Sequence, residues 1–331
     1  MFNEFLESVS LILEKGKNTT SYKFALLRSL IDYGKTYPNQ PLKISYDWLA
    51  EQFISYFWDM TIKFRIQQSN NRETPPIVMS FIEEEIQELN QTSQYSFKKY
   101  QTDYPERLNQ LKDKTKKVAF NDVIDRFHNI ETDVKRLYEK EGKSVLLSDE
   151  SYKFLNLYQK PLLQMCIGSW VRFTENFTSA PKLYEKILNT NVKRGSLTKY
   201  KKFLVALLGE DNIKCFYSDE SVPSNSPLDH FIPHSFILED NIFNLVFIKE
   251  EYNGANEKWS SLPKKSFVKK LEDRNENLLA KHNEGEFNDI PEFSKIKSEF
   301  AGISSNDLNN LVRRNYDNCE ISGFGIWNFE T

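Results

Sequence analysis

The chain has 331 residues, 39% of them hydrophobic and 14% aromatic, enough for a substantial core and for two domains, or for one domain with an appended module. Charged residues make up 27% and the formal net charge is −3, so no global field favours a polyanion and any nucleic-acid contact must come from local clusters. The three cysteines, Cys166, Cys215 and Cys319, are odd in number and far apart, which argues against a disulfide framework and for free thiols in a reducing compartment. No apolar run approaches the roughly 20 residues of a membrane span, so the expectation is a cytoplasmic protein without signal or anchor.

From Phe2 to about Gly209 apolar residues recur at helical intervals. Phe2, Phe5, Leu6, Val9 and Ile12 or Leu13 form a first stripe. A second helix is predicted over Tyr22 to Tyr33, with Gly34 as its stop, and a third over Trp48 to Trp58. Polar residues and the Pro75-Pro76 pair then interrupt the pattern, which resumes over Ile77 to Leu89 with Glu83, Glu84 and Glu85 on a solvated face. Residues 103–147 read as a long exposed helix or helical hairpin, striped by Val123, Phe127, Ile130, Val134 and Leu137. Tyr152 to Phe173 is more apolar, and Pro161 separates two helices there.

Near Cys215 the texture changes. CFYS and NLVFI, at 215–218 and 244–248, have strand character, and a helix is predicted to start near Tyr252. The expected fold is α+β and mostly α. A helical domain over 1–205 binds a partner or nucleic acid, a two-strand and helix module covers 206–285, and a helical or polar tail covers 286–331.

Between the strands lies DHFIPHSF, and YNGANEKWSSLP comes after the second strand. Phosphodiester hydrolysis needs a water nucleophile, a base and positive charge at the departing oxygen. An imidazole titrates near working pH, and a divalent metal supplies the charge. Asp229 and His230 are adjacent, with Pro233 three residues on, Asn244 at the head of the second strand and Asn253 near the predicted helix start.

This pattern resembles the HNH, or ββα-metal, nuclease family, in particular the HNH domains of CRISPR effector nucleases and of bacterial restriction or defence nucleases. KYKKFLVALLGEDNIKCFYSDE resembles the approach helix and first strand of the defence type, so the resemblance covers about residues 195–265. It implies His230 as general base, Asp229 and Asn253 as ligands of Mg²⁺ or Mn²⁺, and Asn244 as the residue that orients the His230 loop through side chain to backbone hydrogen bonds. Two departures matter. Positions that form CxxC pairs in many relatives hold Cys215 with Ser218 and Lys249 with Tyr252, so no structural zinc is expected, and Phe216, Phe231, Phe236, Leu245 and Phe247 should hold the hairpin instead. The family lysine three residues after the second asparagine is displaced to Lys258, which leaves Asn256 able to share or replace the ligand role of Asn253 and makes Lys258 a phosphate contact.

His234, four residues after His230, reads more readily as a loop-packing residue than as a ligand, and His128 and His282 as solvated. Lys199, Lys201 and Lys202 on one side of the motif, and Lys264, Lys265, Lys269 and Lys270 on the other, are candidates to grip phosphates without reading bases. Tyr200, Phe216 and Tyr217 are divided between base stacking and the core.

The resulting expectation is a metal-dependent endonuclease acting on DNA, with RNA as a second candidate substrate, as an effector of bacterial anti-phage defence or restriction. A defence-system ATPase or sensor subunit is the expected protein partner, and no membrane contact is expected. The alternatives are a sensing subunit whose HNH module is silent until a partner docks, and a stand-alone site-specific endonuclease.

Overall fold

A computed structural model describes residues 2–16, 18–37, 42–189, 195–254, 258, 260–284 and 291–329. The architecture is α+β and mostly helical, with two small sheets among the described residues, and the chain divides into two compact units, Met1–Ser179 with Leu183–Thr190, and Ala180–Lys182 with Asn191–Thr331.

In the first unit α1 (Phe2–Lys15) buries Phe5, Val9, Ile12 and Leu13 at helical spacing. Helix α2 (Tyr22–Thr36) runs through Gly34 instead of stopping there. That glycine serves close packing, because a Cβ would lie 2.0 Å from Asn156 Oδ1. After β1 (Lys43–Ser45), Ser45 caps α3 (Tyr46–Ile62) by accepting from Trp48 N at 3.2 Å. Helices α4 (Ile77–Glu88), α5 (Phe97–Asp103) and α6 (Pro105–Arg126) come next, the last starting on a proline at its first turn.

The helix expected to continue toward residue 147 ends at Arg126. Beyond it the chain forms a β-hairpin, β2 (Tyr138–Glu141) and β3 (Ser144–Leu147), which joins β1 in an antiparallel sheet of order β1-β3-β2 with Ile44 and Lys140 both opposite Val145. Helix α7 (Asp149–Leu157), α8 (Gln159–Glu175) and α9 (Leu183–Leu188) complete the unit. The break between α7 and α8 is at Tyr158, and Pro161 sits in the first turn of α8. Trp58 and Trp170 are wholly buried, and each indole N–H is satisfied at 2.7 Å, by the Tyr95 carbonyl and Gln68 Oε1 respectively.

His128 is not the solvated residue expected. Its Nε2 accepts from Leu137 N at 3.0 Å and its ring packs against Phe127 and Tyr138. Burial, with the Arg136 and Lys23 charges, holds its pKa down at about 4.

The second unit opens with α10 (Thr198–Leu208), whose buried Tyr200, Phe203, Leu204 and Leu207 join one core with β4 (Leu228–His230), β5 (Leu245–Phe247) and α12 (Ser266–Glu284). A short helix α11 (His234–Ile237) lies between the strands, and α13 (Ser294–Ser298) and α14 (Ser305–Ile321) come after α12. Helix α14 packs along α12, where Arg313 Nη2 donates to the buried carboxylate of Glu272 at 2.8 Å.

CFYS is a turn, not a strand: Phe216 N donates to Phe247 O at 2.8 Å and the strand opposite β5 is β4. The helix predicted near Tyr252 is a 3-10 turn, Glu250–Asn253, and α12 begins at Ser266, after Pro263.

The three cysteines are buried and free. Cys166 donates to Phe24 O, and burial raises its thiol to about 12. No helix among the described residues is long and apolar enough to cross a membrane.

Candidate active site in the second unit

Antiparallel pairing sets Asp229 opposite Val246 and His230 opposite Leu245. Alternation along β4 sends the two adjacent side chains to different partners. The Asp229 carboxylate lies 2.7 Å from the ammonium of Lys258, a charge contact whose angles fall outside hydrogen-bond geometry. The same ammonium donates to the His230 carbonyl at 2.6 Å. Lys258 is fully buried. The expected phosphate-gripping lysine is thus corrected, since its charge is directed inside the fold at Asp229 and the β4 backbone.

Asn244 closes the other end of the motif. Its Oδ1 accepts from Ile232 N at 2.8 Å, its Nδ2 donates to Ile232 O at 2.9 Å, and its own carbonyl accepts from Phe231 N at 2.7 Å. A primary amide carries a donor and an acceptor on separate atoms and can satisfy the N–H and C=O of one residue together, which a carboxylate cannot. The chain leaving His230 is thereby fixed two residues downstream.

His230 is 1% exposed, and its Nε2 lies 2.9 Å from Asp240 Oδ1. Asp240 reaches it because α11 ends on Leu238 in the left-handed conformation, φ 56° and ψ 31°. Such backbone is uncommon and strained for a branched side chain, and the reversal returns residues 239–241 toward β4. His234 completes the group: its Nε2 is 4.0 Å from Asp240 Oδ1 and its ring centroid 5.0 Å from that of His230. His234, read as loop packing, therefore stands beside the candidate base. Asp240 was missed, and the signal that would have found it is the spacing H-x3-H-x5-D.

Asp240 also lines a cavity of about 550 Å³ with Ser196, Lys199, Asn241, Lys295 and Glu299. Glu299 accepts from Ile242 N at 2.7 Å and from Tyr200 Oη at 2.8 Å, and burial raises its pKa.

Helix α12 clamps the segment between the strands. Arg274 donates to the carbonyls of Ile242, Phe243 and Leu245 at 3.1, 3.3 and 2.8 Å, and Asn275 Nδ2 donates to Phe243 O at 3.1 Å. Burial lowers the pKa of Arg274 to about 9, which leaves it charged at neutral pH.

Asn253 is exposed at the end of its 3-10 turn. The structure brings Asp229 onto Lys258, not onto Asn253, and Asn256 lies outside the described residues. The positions of the family's cysteine pairs hold other contacts. Lys249 pairs with Glu220 at 2.7 Å, and Tyr252 packs on Trp327 and Phe329 with ring centroids at 5.6 and 5.2 Å.

The flanking lysines are largely engaged. Lys201 donates to Asn225 O at 2.9 Å and Lys264 to Phe329 O at 2.8 Å. Lys202, Lys265, Lys269 and Lys270 pair with Glu292, Asp317, Asp273 and Asp219, while Lys199 lines the cavity. Tyr200, Phe216 and Tyr217 are all buried, which removes them as stacking platforms for bases.

A family described as a domain of unknown function (DUF8808) matches residues 3–137, within the first unit and outside this site. No curated protein and no solved structure matches the chain.

Proposed function

We propose that the second unit is an HNH (ββα-metal) endonuclease that hydrolyses phosphodiester bonds, with DNA as the first substrate and RNA as the second, and that it acts as an effector in bacterial anti-phage defence or restriction. The observation that carries this reading is the paired hydrogen bonding of Asn244 to both polar groups of Ile232, which holds the turn after His230 in a ββ hairpin crossed by α12. The defence role rests on the sequence resemblance.

In this reading His230 is the base. With Asp240 accepting from Nε2–H, the carboxylate holds the imidazole in one tautomer, makes Nδ1 the basic nitrogen that takes the proton of the attacking water, and stabilises the imidazolium that forms. Mg²⁺ or Mn²⁺ would supply positive charge at the phosphorus and the leaving oxygen. The expected ligands do not form a cage for it as they stand, because Asp229 is held by Lys258 and Asn253 is on an exposed turn.

The test is cleavage of plasmid, single-stranded DNA and RNA with Mg²⁺ or Mn²⁺, the parent beside His230→Ala. Metal-dependent cleavage by the parent alone supports the reading, and equal cutting by the variant sinks it.

A second reading is favoured by the 1% exposure of His230, which closes the base off from a polymer. Here the module is silent until a defence-system ATPase or sensor subunit docks. Co-elution with its genomic neighbours on gel filtration, with cleavage only in the complex, distinguishes this from a stand-alone endonuclease, which would cut one plasmid into discrete bands unaided.

A further inference from the structure

Three side chains around Asp240 have the chemistry and spacing of a metal site of a kind that the Mg²⁺ expectation does not cover. The ligand atoms of His230, His234 and Asp240 all lie within 4.8 Å of one another. A tetrahedral cation with bonds of about 2.0–2.1 Å holds its donors roughly 3.4 Å apart. The observed separations from Asp240 Oδ1, 2.9 Å to His230 Nε2 and 4.0 Å to His234 Nε2, bracket that value. Small rotations of the His234 ring and the Asp240 carboxylate would equalise them.

The frame is already built. His230 is held on β4 by the strand pairing and by the Asn244 bonds beyond it, and His234 begins α11. The left-handed Leu238 delivers Asp240 to the two imidazoles. Asp240 and His234 are 17% and 14% exposed at the side chain, and Asp240 faces the 550 Å³ cavity, which leaves room for a water as fourth donor and a path for the ion.

We propose that His230, His234 and Asp240 bind a borderline divalent cation of the zinc class. Two imidazoles and one carboxylate suit such an ion, whereas magnesium prefers oxygen donors in an octahedron. Coordination through Nε2 takes the place of the proton shared with Asp240, which shifts to Nδ1 so that His230 binds as a neutral imidazole. The site stands apart from the nuclease reading and competes with it for His230, because a metal on Nε2 puts the ring proton on Nδ1, the nitrogen that reading uses as the base; binding is measured without nucleic acid.

The experiment uses the full chain stripped with EDTA and titrated with Zn²⁺ against a chromophoric chelator, then X-ray absorption at the zinc edge. The parent is expected to bind a single equivalent with nitrogen and oxygen neighbours and to be indifferent to millimolar Mg²⁺. His234→Ala and the near-isosteric Asp240→Asn should each weaken binding by about tenfold or more. Melting curves of the metal-free variants establish that they are folded, and Asp240→Asn carries the test if His234→Ala is not. Absence of a stoichiometric zinc, undiminished affinity in a folded Asp240→Asn, sulfur in the coordination sphere or equal competition by Mg²⁺ would each overturn the proposal. Cleavage plays no part in the readout, so failure to bind zinc overturns the site alone, while equal cutting of nucleic acid by zinc-free parent and His230→Ala with Mg²⁺ or Mn²⁺ overturns the nuclease reading alone.

Discussion

The ammonium of Lys258 lies 2.7 Å from the Asp229 carboxylate, with side chains only 1% and 10% exposed. A buried pair of this kind is weak evidence for net stability, but removing one partner strands the other charge. Lys258→Met should therefore destabilise the second unit by about 3–5 kcal/mol, and the double variant Asp229→Asn, Lys258→Met should recover much of the loss. Urea unfolding monitored by tryptophan fluorescence checks both, and a single variant as stable as the parent would mean the pair is not formed.

Asn244 satisfies Ile232 on both sides. Asn244→Ala leaves a buried N–H and C=O unpaired, at about 2–3 kcal/mol. Asn244→Asp is expected to be no better, because it keeps the acceptor for Ile232 N but turns a carboxylate oxygen toward Ile232 O. Thermal melts of the two variants decide this.

Arg274 reaches three carbonyls between and along the strands. Arg274→Met should cost about 2–4 kcal/mol, and Arg274→Lys should recover only part of it, because a single ammonium cannot spread its donors as a planar fork does. Amide exchange is the informative probe: protection at Leu245 to Phe247 should fall in both variants and fall further with Met.

His128 predicts a pH dependence in the first unit. Its folded pKa of about 4 lies below the ordinary 6.5, so between those values the unfolded chain binds the proton that the folded chain refuses. The contribution is complete above pH 6.5 and is lost as pH falls toward 4, about 1–3 kcal/mol in all. His128→Gln should flatten that part of the stability profile, and a parent and variant with the same slope from pH 6.5 to 4 would refute it.

Elements whose signal is local were legible in the sequence. The stripes of α1 to α4 and the β5 run arise from residues near one another, and so does the Asn244 position. The features that escaped depend on distant partners. Val134 and Leu137 fit a helical period by coincidence, and the hairpin after them is widened to three strands by Lys43–Ser45, which comes from far upstream. The aromatic run at Cys215 reads as a strand, yet Phe216 and Tyr217 are buried within a turn. Asp240 reaches His230 and His234 through the backbone reversal at Leu238, a non-glycine residue that gives no warning of positive φ. Lys258 reads as a phosphate contact in the sequence because its carboxylate partner is 29 positions upstream.

The strand-like contact near the end of the chain has a practical consequence. Leu262 bridges Ile326, Trp327 N donates to Leu262 O at 2.7 Å, and Trp327 and Phe329 cover Tyr217 at 4.9 and 6.0 Å between ring centroids. A recombinant fragment cut at residue 285 would uncover that aromatic face and tend to aggregate. The smallest piece to express, label or crystallise should keep everything from α10 through Phe329, and a protease that nicks the last turns would destabilise the second unit by unsealing it from behind.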